Sequence, residues 1–147
     1  SQAQTQEDFD DAGHKILSMV TDSVPKQTLP FIRRDEYFSV IDRQPISENQ
    51  KSIIKQKLNL DLTDQHSAMQ NSLAGLCDSY EIEREEGATF EYYETIHELM
   101  DNSVDTYTVK TTYLYKNGKV QTLVSFIYEL AWLGNRFALI SDIKEDF

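Results

Sequence analysis

Two glycine-containing turns inside one stretch, Thr106 to Lys144, limit what this chain can fold into more than any other feature. From Thr106 to Lys116 the residues alternate, with Tyr107, Val109, Thr111, Tyr113 and Tyr115 on one face and Thr108, Lys110, Thr112 and Lys116 on the other. Asn117-Gly118 follows, a strong hairpin signal, because a type I′ turn needs positive φ at both central residues. Counting outward from it sets Tyr115 opposite Val120, Thr111 opposite Val124, Val109 opposite Phe126 and Tyr107 opposite Tyr128. Gly134-Asn135 has Gly first, as a type II′ turn prefers. It sets Trp132 opposite Phe137, Leu130 opposite Leu139 and Phe126 opposite Ile143. Both turns therefore place Phe126, Tyr128, Leu130 and Trp132 on one buried side, and a slip by one residue would turn them all outward. The other side mixes Leu123, Ile127, Ala131, Ala138 and Ile140 with Lys110, Gln121, Glu129 and Arg136. Scattered single apolar residues are ordinary on a surface, and cover of part of this side by a loop or a second subunit is the alternative.

The rest of the chain reads as material that covers this sheet. With 147 residues it can bury a core as a single domain, without metal or disulfide. The expected fold is α+β, with N-terminal helices packed on one face of a curved antiparallel β-meander. Residues 1–5 read as a flexible leader, 6–78 as mainly helical and 79–145 as mainly sheet. The polar start Ser-Gln-Ala-Gln-Thr-Gln, without an initiator Met, suits a mature N-terminus after signal-peptide removal or an appended leader. A periplasmic or secreted location is the expectation.

Charge removes several function classes. The formal net charge of −11, with no Lys/Arg cluster, disfavours nucleic acid and anionic membrane surfaces. No apolar run is long enough to insert in a membrane. The single cysteine, Cys77, permits no intrachain disulfide and reads as a buried, inert thiol beside Leu73 and Leu76.

In chain order, Phe9, Ala12, Ile16, Leu17 and Val20 fall at helical spacing behind an acidic first turn, which predicts a helix over about 6–22. Pro25 and Pro30 stop it. Phe31, Tyr37, Phe38 and Ile41 predict a turn or two of helix packed back on the sheet. The basic doublet Arg33-Arg34 sits among Asp35, Glu36 and Asp42 and reads as a set of local ion pairs. After Pro45, Ser47-Glu48-Asn49-Gln50 has the pattern of a capping box, opening a helix with Ile53, Ile54 and Leu58. Asn59–Leu62 reads as an interruption. Thr63-Asp64 then restarts a helix carrying Leu62, Met69, Leu73 and Leu76, which Gly75 weakens. Tyr80-Glu81-Ile82-Glu83 switches to period two and predicts a strand. Over 87–103, Tyr92, Tyr93, Ile96, Leu99 and Met100 fit a helical stripe better than a strand, so a helical or irregular excursion is expected there.

This order resembles the nuclear transport factor 2-like, or cystatin-like, α+β cone superfamily, and within it small exported bacterial proteins. The residues that carry the likeness are Tyr80-Glu81-Ile82, Thr112 to Gly118, Phe126-Ile127-Tyr128 and Phe137 to Ile140. It spans roughly residues 63–145, with 87–103 as an insertion. The resemblance implies a bent sheet that wraps helices and leaves a cavity at its open end. Some members of that group are isomerases or dehydratases, others bind small molecules, and others dimerise through the sheet.

The chemistry-bearing residues are few. Glu94-Thr95-Ile96-His97 has the Glu-x-x-His spacing of a di-metal helix, but such a site needs a second copy, and the chain has none. No Gly-rich phosphate loop, zinc-spaced Cys/His set or EF-hand loop occurs, so neither a metal nor a cofactor is expected. The acids Glu81, Glu83, Glu85 and Glu86 read as the solvated face of a short strand. An isomerase-type site would need an acid or base beside a tyrosine donor in an apolar pocket. The predicted inner face holds tyrosines but no carboxylate or histidine. The expected function is therefore a non-catalytic domain binding a small apolar or aromatic ligand, or a protein partner, near Tyr107, Tyr113, Tyr128 and Trp132. The alternatives are a lyase or isomerase using the same cavity, and a homodimer formed through the outer face around Leu123, Ile127 and Ile140.

Overall fold

A computed structural model describes residues 4–146. Three helices, α1 (Gln6–Thr21), α2 (Arg34–Asp42) and α3 (Glu48–Glu85), precede five strands: β1 (Thr89–Leu99), β2 (Thr106–Asn117), β3 (Val120–Trp132), β4 (Phe137–Leu139) and β5 (Lys144–Asp146). The fold is α+β, with helices on an open antiparallel sheet of order β1-β2-β3-β4 and β5 also pairing with β3. Residues 1–3 of the expected leader lie outside the described residues. Its next two residues are held in place: the Tyr107 hydroxyl donates to Gln4, and Thr5 caps α1.

Both turns place the chain as their glycines require, though the first turn moves by one residue. The β2–β3 loop is Gly118-Lys119, with positive φ at Gly118 alone, so Asn117 faces Val120 and Tyr115 faces Thr122. The pairing thus sits two residues from the expected register. A shift of two keeps every side chain on its face, and Val109, Thr111, Tyr113, Phe126, Tyr128 and Leu130 are all buried on one side. At the second turn Trp132 faces Phe137 and Leu130 faces Leu139, as counted from Gly134-Asn135. Beyond Leu139 the strand breaks. Ser141 Oγ accepts the Glu129 N–H at 2.7 Å, and pairing resumes with Phe126 opposite Glu145 rather than Ile143.

Most of residues 87–103, expected to be helical or irregular, forms the edge strand β1, Thr89–Leu99. The register shifts between Tyr92 and Glu94, so Phe90 and Tyr92 share the inner face with Thr95 and His97. A bulge reverses the alternation halfway, and no single period fits such a strand.

The strand expected at Tyr80–Glu83 and the break expected at Asn59–Leu62 are both absent, because α3 runs unbroken through them. Leu58, Leu62, Met69 and Tyr80 are its buried residues, with Leu73 and Leu76 packed beside the main core. Their spacing continues in steps of three and four across Asn59–Leu62, where neither Gly nor Pro stops a helix. The acids from Glu81 to Glu86 accordingly lie on the last turn of this helix and its cap. The expected capping box is present, Gln50 N–H donating to Ser47 Oγ at 3.1 Å and Ser47 N–H to Gln50 Oε1 at 3.1 Å. Gly87, at φ +97°, ends the helix in the left-handed conformation.

The main core lies between α1, the C-terminal part of α3 and the inner face. A second cluster sits on the opposite face, where Ile32 and Val40 bury Ala131 and Ala138. The mixed outer face is therefore covered at its β3–β4 end by the chain's own α2 region, while Leu123 stays 50% exposed. Arg33 pairs with Asp35 and Glu36, as its neighbours suggested.

Candidate functional site

The four tyrosine and tryptophan positions expected to line one pocket are dispersed. Tyr113 borders a cavity of about 400 Å³ between α3 and the β2–β3–β5 surface. Tyr128 is buried and its hydroxyl meets Thr111 Oγ1 at 2.7 Å. Tyr107 packs edge-on against Phe9, with ring centroids 4.9 Å apart. Trp132 lies at the other end of β3, edge-on to Phe137. Only Tyr113 belongs to this cavity.

The cavity is lined by Ser79, Tyr80 and Glu83 of α3, Tyr113 and Tyr115 of β2, Thr122, Leu123 and Val124 of β3, and Glu145 of β5. Each element delivers its residues for a local reason. Tyr80 and Glu83 lie three apart on α3 and share one helix face. Tyr113 and Tyr115 are alternate inner-face residues of β2. Glu145 arrives because the break after Leu139 lets the chain return to β3 opposite Phe126.

Two hydroxyl–carboxylate contacts organise the walls. The Tyr80 hydroxyl donates to Glu145 Oε2 at 2.9 Å and is also hydrogen-bonded to the Tyr113 hydroxyl. The Tyr115 hydroxyl donates to Glu83 Oε2 at 2.6 Å. Burial, reinforced by their mutual hydrogen bond at Tyr80, raises the pKa of both Tyr80 and Tyr113 far above the usual phenol range. At neutral pH both are therefore neutral hydrogen-bonding groups and not phenolate bases.

The inner face was expected to lack carboxylates and histidines, and that expectation fails. Besides Glu83 and Glu145, Asp10 of α1 accepts from the Tyr92 hydroxyl at 3.1 Å. His97 stacks on Phe9 with centroids 3.6 Å apart, and His14 stacks on Tyr92 at 3.8 Å. The parity that puts Ile143 inside also puts Glu145 inside, so that residue was within reach of strand counting. Glu83 was hidden because its segment reads as a strand when taken alone.

Glu94 and His97 do not form a ligand pair. A Glu-x-x-His pair converges only on a helix, and in β1 Glu94 pairs with outward-facing Thr112 while His97 pairs with inward-facing Val109. Cys77, expected to be buried, is half-buried; its thiol donates to the Met19 carbonyl at 3.3 Å, and burial pushes its pKa up. Among the described residues no helix is long and apolar enough to cross a membrane.

Comparison with protein-family models, curated proteins and solved structures finds no match for this chain.

Proposed function

We propose that this domain binds a small, largely apolar or aromatic molecule in the cavity between α3 and the β2–β3–β5 surface, without transforming it. One observation carries the reading: an opening of about 400 Å³ walled by Tyr80, Tyr113, Tyr115, Leu123 and Val124. That volume lies within the usual range for small-molecule sites, which combine apolar walls with a few convergent polar groups. The likeness to nuclear transport factor 2-like cones is part of the same proposal, supported by helices that precede an antiparallel meander with a concavity beside it. The test is a thermal-shift and native mass-spectrometry screen of aromatic compounds against the wild type and Thr122→Trp. Thr122 is exposed and lines the opening, so tryptophan there fills the opening without disturbing the core. Hits that bind the wild type and lose binding in the variant support the site. Hits indifferent to the substitution refute it.

A second reading, a lyase or isomerase, has one observation in its favour: the Glu145 carboxylate is bonded to Tyr80, which is bonded to Tyr113, beside an apolar wall. An acid–base group next to neutral tyrosine donors is what proton transfer at an enolisable carbon uses. Solvent deuterium entering bound enolisable ketones would favour this reading over passive binding, and unlabelled ketones would refute it.

A further inference from the structure

The cavity holds two carboxylates and no cationic side chain. Glu83 and Glu145 each use Oε2 to accept a tyrosine hydroxyl, and among the described residues no donor reaches either Oε1. Neither forms an ion pair with a described lysine or arginine. Among the other partly buried acids, Glu36 meets Arg33 and Arg136 and Asp105 meets Arg43 at 3.2 Å, while Asp10, Asp22 and Asp142 also form no ion pair with a described lysine or arginine. Acids drawn from solvent are ordinarily matched by an opposite charge. Here the two acids meet the hydroxyls of Tyr80 and Tyr115, and the half-buried Tyr115 ring, a π system of the kind that attracts cations, lines the same cavity. A ligand with an apolar body would meet Val124 and the Tyr115 ring, and an ammonium group would meet the two free carboxylate oxygens. An anionic head would be repelled by both acids, and a neutral one would leave the field of both uncompensated.

We infer that the ligand of this cavity is an organic cation, a protonated amine on a small apolar or aromatic body. The inference rests on the cavity being the small-molecule site proposed above.

Three probes with one ring and different heads test it by titration calorimetry on the full chain at neutral pH: phenethylamine, phenethyl alcohol and phenylacetate. The expected result is that the amine binds at least ~10-fold more tightly than the alcohol, a difference of about 1.4 kcal/mol, while phenylacetate does not bind. Glu83→Gln and Glu145→Gln are each expected to weaken the amine ~10-fold or more and to leave the alcohol unchanged. Glutamine keeps an acceptor for the tyrosine hydroxyl, so it removes charge before it removes the hydrogen bond. If one variant does not fold, the wild type supplies a second readout, because affinity for the amine should fall as salt rises. Equal binding of amine and alcohol, preference for the acid, or affinity for the amine indifferent to both substitutions overturns the cation while leaving the cavity reading in place. Absence of binding by all three overturns both.

Discussion

Helices α1 and α3 both pack on the ring-bearing face of the sheet, but they are held there by different means. α1 has 16 residues and buries eight of them, among them Phe9, Ile16 and Val20 at 0% exposure. It crosses the strands so closely that a Cβ on Gly13 would lie 2.0 Å from Thr95 Oγ1 and 2.9 Å from Thr111 Oγ1. α3 is 38 residues long and buries four. Its glycine, Gly75, has nothing within 4 Å of where a Cβ would be. The same residue type thus has opposite meanings. In α1 glycine is a condition of the packing, while in α3 it only weakens a helix that its capping box and length already favour.

The contrast can be broken most severely at Phe9, whose ring contacts His97, Tyr107 and Phe137. Phe9→Ala is expected to cost about 3–5 kcal/mol of unfolding free energy, read by denaturant titration. A loss below ~1 kcal/mol would mean that the buried face of α1 does not anchor it to the sheet. Gly13→Ala comes next. Helix propensity alone would favour alanine by about 1 kcal/mol, yet the encroachment on Thr95 should reverse the sign and cost about 1–3 kcal/mol. Thr95 cannot easily give way, because its hydroxyl is tied to Tyr92 at 2.7 Å and to Thr111 at 3.0 Å. A more stable Gly13→Ala protein would show that the crossing is looser. Gly75→Ala is the smallest change and has the opposite sign, an expected gain of about 0.5–1 kcal/mol. Equal effects at the two glycines would remove the distinction between the helices.

How far the sequence discloses this arrangement depends on where the local signals agree. The face carried by Phe126, Tyr128 and Leu130 was legible because two turns vote for the same parity. It survived a turn at Gly118-Lys119 rather than Asn117-Gly118, since a two-residue shift leaves sidedness unchanged. β1 was not legible, because the bulge between Tyr92 and Glu94 joins two half-strands of opposite parity, and their sum imitates a helical stripe. The end of α3 was misread for a related reason: Tyr80 and Ile82 alternate with acids, yet Ile82 is 58% exposed and only Tyr80 belongs to the buried series. That misreading also concealed half of the candidate site, because Glu83 reaches Tyr115 only from a helix. Alternation places Tyr113 on the inner face, where it borders the cavity. The separation of Tyr107, Tyr128 and Trp132 from it is a matter of three-dimensional distance along a long strand pair, which parity does not measure.

The bulge in β1 has one more effect. This strand ends the sheet, and its eleven residues include the exposed Tyr93, Ile96 and Leu99. A straight border of that length would offer another molecule a ready template for amyloid-like stacking. The offset at Tyr93 divides the border into two short runs of different register, and Glu94 and Glu98 add like charge along it. The irregularity that hides β1 from the sequence reader thus also guards the protein against fibril growth.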